Sequence, residues 1–187
     1  MHGRPPANDY VSIALNAFAA GPECEALLDQ IPVPIYTTDV DGSVTYWNRA
    51  CVDFAGREPQ RGRDRWCITW HLYTTTGDPI PHDKCPMAEA IKQQRPIRDQ
   101  IAIAERPDGS RVAFRPYPTP LFDAAGAFKG AVNVLIDVTA EQSDALHAQA
   151  DRCRRLAGAT YDRQTSKVLG DMAAKFDKTA SDLASLS

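Results

Sequence analysis

Long apolar runs are missing from this sequence: no stretch approaches the roughly 20 residues needed to cross a bilayer. The opening Met1-His-Gly-Arg-Pro-Pro is polar and lacks the charged-then-apolar order of a signal peptide. A surplus of charge is missing too. Lys and Arg number 21 against 24 Asp and Glu, a net charge of −3, which recommends neither nucleic acid nor an anionic membrane as partner. From Ala140 onward seven acids face seven bases, so there is no charged tail. Five cysteines, an odd count at scattered spacings, argue against a disulfide framework. Gly-x-Ser-x-Gly, a phosphate-cradling loop and His-Glu-x-x-His are all absent, and the acids fall mainly in turns and on solvated helix faces, so no enzymatic activity is expected. These absences leave a soluble, cytoplasmic chain with free thiols. Its 187 residues give room for one ordinary core and some helical extension.

What is present is patterned. Tyr10, Ile13, Ala14, Ala17 and Phe18 fall at helical spacing after Asp9, and Gly21-Pro22 ends that helix. A helical turn follows around Glu23–Gln30. The pattern then changes to strand at Val33–Thr38 and Val44–Trp47, joined at Asp41-Gly42, a strong hairpin signal. Asn48 is placed to cap a helix over Arg49–Ala55. Residues 56–84 are irregular, and Pro86 suits the first position of a helix running to about Gln94. Two strands are expected near Arg98–Glu105 and Arg111–Tyr117, the second ending early or fraying at an edge because of Pro116, Pro118 and Pro120. After a turn at Asp123–Gly126, Phe128, Ala131, Val132, Val134, Leu135, Ile136 and Val138 form the nearly continuous apolar run of a central strand. It stops at Asp137-Val138-Thr139, where Thr139 and Gln142 are spaced as a capping box for an outgoing helix. A central strand wired directly to an outgoing helix is a natural route for a signal. Two strands, a loop-rich crossover and three more strands predict an α+β domain with a five-stranded antiparallel sheet and helices on one face.

That order, over Glu23–Thr139, resembles the PAS domain, a small sensory module of bacterial signalling proteins. The closing Gly-x-x-x-Gly…Asp-x-Thr, together with Leu72-Tyr73, Asp78-Pro-Ile-Pro-His-Asp-Lys-Cys-Pro-Met-Ala88, Glu105-Arg-Pro-Asp-Gly109 and Pro116-Tyr-Pro-Thr-Pro-Leu121, is similar to a proteobacterial PAS subgroup. The resemblance implies a strand order of 2-1-5-4-3 and a ligand pocket between sheet and crossover helices. Residues 1–22 would then be a tail and amphipathic helix, 23–139 the PAS domain and 140–187 a C-terminal helical extension. By the same analogy the N-terminal helix would suit a dimer interface through Tyr10, Ile13, Ala17 and Phe18.

In the extension, Leu146, Ala150, Cys153 and Leu156 line one face of a first helix that Gly158 closes, and Thr160 is placed to cap the next. The two helices are expected over 141–157 and 160–186. Thr165, Leu169, Met172, Phe176, Thr179, Leu183 and Leu186 step by 4 and 3 as a heptad seam. Two readings of it stand: a helix packing back on its own domain, or a homodimer or partner seam carried by Leu169, Met172, Phe176 and Leu183.

The crossover concentrates unusual side chains. Trp66, Trp70 and Tyr73, with Met87 and Ile91 behind them, are candidates to line a pocket for a planar ligand, although aromatics there also serve simply to cover the sheet. Cys67-x3-His71-x10-His82-x2-Cys85 offers two thiolates and two imidazoles, a set zinc favours, but without tight Cys-x2-Cys half-sites. The preferred reading leaves His71 and His82 on the surface and Cys67 and Cys85 as small buried hydrophobes. At the head of a helix beginning with Pro86, Cys85 would also be favoured as a thiolate able to sense oxidants or ligate haem. Against haem, Pro86–Gln94 contains no histidine; against flavin photochemistry, an Asn-Cys-Arg-Phe-Leu-Gln-like run is absent. His147 lacks the acidic neighbour and downstream proline of a phosphorylated kinase histidine. The expectation is therefore a sensor or adaptor without a required cofactor. It would relay state through Asp137 and Thr139 to its C-terminal helices and to a partner such as a sensor kinase or response regulator. A haem- or zinc-dependent redox sensor and a dimerising scaffold without ligand are the alternatives.

Overall fold

Asp39 folds the first hairpin. Its carboxylate Oδ1 accepts the Asp41 and Ser43 amides at 3.0 and 2.9 Å, which joins β1 (Ile35–Thr38) to β2 (Val44–Trp47). The computed structural model, which describes residues 6–20 and 26–184, continues with helix α2 (Arg49–Ala55). The crossover holds a short strand β3 (His71–Tyr73), a 3-10 turn (His82–Lys84) and helix α3 (Pro86–Gln93). Strands β4 (Ala102–Glu105), β5 (Arg111–Pro116), β6 (Thr119–Phe122) and β7 (Phe128–Asp137) follow. The sheet is antiparallel, in the order β2-β1-β7-β5-β4-β3, with β6 also paired to β7. The expected order of five strands is recovered, and two short strands extend it to seven.

Both additions have a local cause. At β3 only Leu72 turns into the core, so the tripeptide carries no alternating pattern long enough to read. At β6 the three prolines lie two apart and therefore share one side of the chain. Tyr117 N–H bonds the Val134 carbonyl at 2.9 Å, so the proline sides face away from β7 and no ladder donor is lost. The strand breaks at Tyr117-Pro118 and resumes rather than fraying. Beside it β7 approaches β1 so closely at Gly130 (φ +117°) that a Cβ there would lie 2.0 Å from the Thr38 carbonyl oxygen.

Asn48 does not cap α2 as its position suggested. Its carboxamide instead accepts the Ile35 amide (3.0 Å) and donates to the Leu28 and Val33 carbonyls (3.0 and 2.9 Å), pinning the lead into β1. The Asp29 carboxylate takes the Arg49 amide at 3.0 Å in its place.

Helices cover both sheet faces. Inside, α2, α3 and the crossover enclose the main core of Tyr36, Phe54, Ile68, Leu72, Met87 and Phe114. Outside, α1 (Ala7–Ala20) lays Tyr10, Val11 and Ala14 on Ile35, Val132 and Val134, so much of the face suited to a dimer is spent within the chain. Ile13 stays exposed, and Phe18 packs edge-on to Tyr46. The Gly21-Pro22 helix end and the Glu23 boundary lie outside the described residues.

The other half of the outer face carries a hairpin of α4 (Thr139–Ala159) and α5 (Arg163–Ala184). Leu146, Ala180 and Leu183 pack on Ile103 and Ala113, and Ala150, Cys153 and Ala173 join the helices farther out with Leu169 and Phe176. Asp162, not Thr160, heads α5 by accepting the Thr165 amide at 2.8 Å. The heptad seam thus folds back: Leu183 is buried, Phe176 and Leu169 pack within the hairpin, and Met172 is left outside. Leu156 is likewise exposed, contrary to its expected place on the buried face, and Leu186 lies outside the described residues.

Leu183→Ala is expected to lower stability in urea by about 2–5 kcal/mol, and Met172→Ala to stay within about 0.5 kcal/mol. Equal losses would contradict the inward seating of Leu183.

Candidate functional site

Trp66 takes a left-handed backbone conformation (φ +67°), with its amide bonded to the Gly42 carbonyl at 2.7 Å. Its indole lies so close to Gly42 that a Cβ there would sit 2.2 Å from the ring. Arg65 and Lys92 flank the indole at 5.3 and 5.8 Å. This seating aims the Trp66 carbonyl inward, where it accepts the Tyr36 hydroxyl at 3.0 Å and the Cys85 thiol at 3.8 Å. The Tyr36 oxygen in turn accepts Asn133 Nδ2–H (3.1 Å), and Asn133 Oδ1 accepts the Tyr117 amide (3.0 Å). Tyr36 and Asn133 are both buried, so each of these polar groups needs its neighbour. The result is a continuous polar chain from the centre of β7 to the crossover. Burial raises the Tyr36 hydroxyl well above its usual range, which keeps it a donor.

Cys67 and Cys85 meet at the end of that chain. Both are buried, and each is the largest influence on the other's ionisation. Interaction with the Cys85 thiol, the positive side of His82 and the Thr69 hydroxyl (3.1 Å from Cys67 Sγ) pull the Cys67 thiol below its ordinary value. Cys67 and burial push Cys85 up. The two thiols therefore ionise as a pair rather than independently. Cys85 stands ahead of Pro86 at the start of α3 without a side-chain cap hydrogen bond, although the Met87 and Ala88 amides favour its ionised form.

At the far end of β7, Asp137 Oδ1 accepts the Thr139 amide at 2.8 Å, and Thr139 Oγ1 accepts the Ala113 amide (3.1 Å) and returns a longer bond to the Ala113 carbonyl (3.4 Å). Val138 N–H also bonds the Ala113 carbonyl at 2.9 Å. The expected capping box is not formed: α4 begins at Thr139 itself, and the hydroxyl is committed to β5. A helix start is thereby stitched to a strand whose alternate residues face the two cores.

The family model described as PAS fold matches residues 28–143. The chain belongs to the PAS family. A solved PAS domain from Colwellia psychrerythraea is similar at 17% identity, covering 62% of this chain and 95% of that one, with a TM-score of 0.42. A Rhodobacter sphaeroides LOV protein is 13% identical over 84% of this chain and 97% of its own (TM-score 0.46). A light-oxygen-voltage domain studied with a flavin analogue is 14% identical over 72% and 98%, with a TM-score of 0.50. These likenesses bear on the fold alone. No curated protein matches.

Within this PAS domain the sequence candidates separate. Met87 and Ile91 belong to the interior core, with Trp66 packed against it. Trp70 is half exposed, and Tyr73 lies on the opposite sheet face beneath Arg111, 4.5 Å from its ring centre. Trp70 and Tyr73 line a shallow surface cleft of about 340 Å³ with His71, Ile80 and His82. The interior space between sheet and crossover is taken by Tyr36, Phe54, Met87 and Phe114, which does not fit a haem. Nor does the zinc set assemble. Cys67 and Cys85 come together, but His71 sits at the sheet edge with Glu105 at 3.4 Å, and His82 lies in the 3-10 turn lining the outer cleft. Among the described residues no group of three or more His, Cys, Asp or Glu is placed to hold a metal. His147 pairs with Asp177 across the hairpin at 3.4 Å. Tyr36 and Asn133 went unread as site residues because one sits in a β-rich run and the other interrupts an apolar one; that lone Asn within β7 was the available signal.

Tyr36→Phe would leave the Trp66 carbonyl and Asn133 Nδ2 short of a buried partner. It is expected to cost about 1–3 kcal/mol in urea denaturation; a loss below about 0.5 kcal/mol would show that the chain contributes nothing to stability.

Proposed function

We propose that this PAS protein is a non-catalytic cytoplasmic signalling adaptor or sensor, with residues 23–139 as the sensing unit and 140–187 as the output. The observation that carries the reading is the two-sided use of β4 and β5. Ala102, Ala104, Val112 and Phe114 face the interior core, while the alternating Ile103 and Ala113 face the α4–α5 hairpin. A change in the packing of the interior moves the strands on which the hairpin rests, and Asp137 and Thr139 tie the start of α4 to the same β5. A small ligand acting here works only through its differential affinity for two hairpin arrangements. The output is read by a partner such as a sensor kinase or response regulator, or by a second copy, on the outer side of the hairpin. Leu156, Val168 and Met172 lie exposed there. The outer cleft beside Trp70 and Tyr73 is the better-supported place for a small ligand, since the interior is filled by side chains.

The relay is tested by perturbing only its interior side. Phe114→Leu removes part of the edge-to-face contact with Phe54, whose ring lies 5.3 Å away. Hydrogen exchange is expected to quicken in peptides from α4 and α5 while α1, seated on β1 and β7, stays unchanged. Equal quickening in α1 and the hairpin, or none in the hairpin, would overturn the relay.

A further inference from the structure

Four of the five cysteines fall among the described residues, and all four are buried and unpaired. Two of them are structural in character. Cys51 donates its thiol to the Ile35 carbonyl at 3.3 Å and is pushed far up by burial, and Cys153 is enclosed within the hairpin. Cys67 and Cys85 differ because they come from separate elements, the loop before β3 and the head of α3, into one core cluster, where each thiol is the strongest influence on the other. Cys85 Sγ lies 3.8 Å from the carbonyl oxygen of Trp66, the residue bonded to Cys67. Cys67 Sγ has the Thr69 hydroxyl at 3.1 Å. Both sulfurs are buried, but their neighbours are less so: Trp66 is half-buried, and Asp83 and Lys84 ahead of Cys85 are exposed.

We propose that Cys67 and Cys85 form a redox-modification site, at which hydrogen peroxide converts the buried dithiol to an intramolecular disulfide. The Cys67 thiolate attacks the O–O bond and takes one oxygen as a sulfenic acid, and the leaving hydroxide takes a proton from solvent. Cys85 sulfur then attacks the Cys67 sulfur. The S–O bond breaks, and the Cys85 proton leaves with that oxygen as water. Two electrons pass from the two sulfurs to the peroxide, and the product is one S–S bond and two waters. Cys67 is suited to the first step by the Thr69 hydroxyl beside its sulfur, and Cys85, whose thiol donates to the Trp66 carbonyl, to the second.

The oxidised pair has a consequence inside the fold. Cys85 no longer donates to the Trp66 carbonyl, and the head of α3 becomes tied to the loop that seats Trp66. That carbonyl is where the Tyr36–Asn133 chain ends, so the change reaches the centre of β7. Reduction by a small thiol restores the starting state.

The test treats the full chain, reduced and native, with hydrogen peroxide. The protein is then unfolded in excess N-ethylmaleimide, digested without reductant and its peptides weighed. The expected result is a linked peptide pair joining Cys67 to Cys85, lighter by two hydrogens and lost on adding dithiothreitol, with Cys51 and Cys153 alkylated. Free Cys67 and Cys85, their conversion to sulfinic acids without a linked pair, or linkage of either to another cysteine would overturn the proposal. The roles are separated in single variants. Cys85→Ser should let dimedone trap a sulfenic acid on Cys67, and Cys67→Ser should leave Cys85 labelled at least tenfold more slowly. Comparable labelling would overturn the assignment of Cys67 as the attacking thiol, and the native wild-type map stands whether or not either variant folds.

Discussion

Both faces of β7 have to be buried, and that requirement organises the rest. Along this strand Val132, Val134 and Ile136 point to the outer face, while Ala131, Asn133 and Leu135 point to the interior. No antiparallel sheet with one wet face could hold such a strand at its centre. The chain meets the demand by placing the crossover on one side and dividing the other between α1 and the α4–α5 hairpin. Segments that precede and follow the matched residues 28–143 are thus structurally part of its packing rather than appendages to it. The hairpin is held by packing near the sheet, by the Arg111–Asp182 ion pair that ties α5 to β5, and by the Arg154–Asp177 pair toward its exposed side, where such a pair adds little.

A single polar residue interrupts the interior face of β7, and its needs propagate. Asn133 must be satisfied in a setting where water is excluded. Tyr36 satisfies it, Trp66 satisfies Tyr36, and the left-handed turn at Trp66 exists only because Gly42 leaves room for the indole. Buried polar chains of this kind specify one arrangement of a core, because each alternative strands a donor or acceptor. Here the chain also ends at the Trp66 carbonyl, to which the Cys85 thiol donates, so the chemistry proposed at the crossover and the geometry at the central strand share one set of bonds.

Much of the fold was legible because its signals are local. Asp41-Gly42, Pro86 and the apolar run before Asp137 each state their element in a few residues. What was misread involves side chains whose partners are remote in sequence. Asn48 and Thr139 have good capping chemistry, yet each spends it on a strand, 13 and 26 positions away. The heptad of α5 correctly announces an apolar stripe, but a stripe does not name its partner, and the partner proves to be α4 with the sheet beneath. The zinc spacing failed for a related reason. A spacing counts residues along the chain, and β3 sends His71 to the far side of the sheet from the core that holds Cys67.

The prolines of β6 do more than tolerate their strand. An exposed sheet edge presents a row of free amides that a strand from another molecule can pair with. On this edge Pro116, Pro118 and Pro120 have no amide to offer, and the Pro118 carbonyl is already occupied by the Ile97 amide and the Arg98 guanidinium. A neighbouring chain that approached would find no amide donor at these three positions. For a protein whose proposed work is to change shape when its core is disturbed, an edge short of amide donors makes pairing with its own copies less favourable.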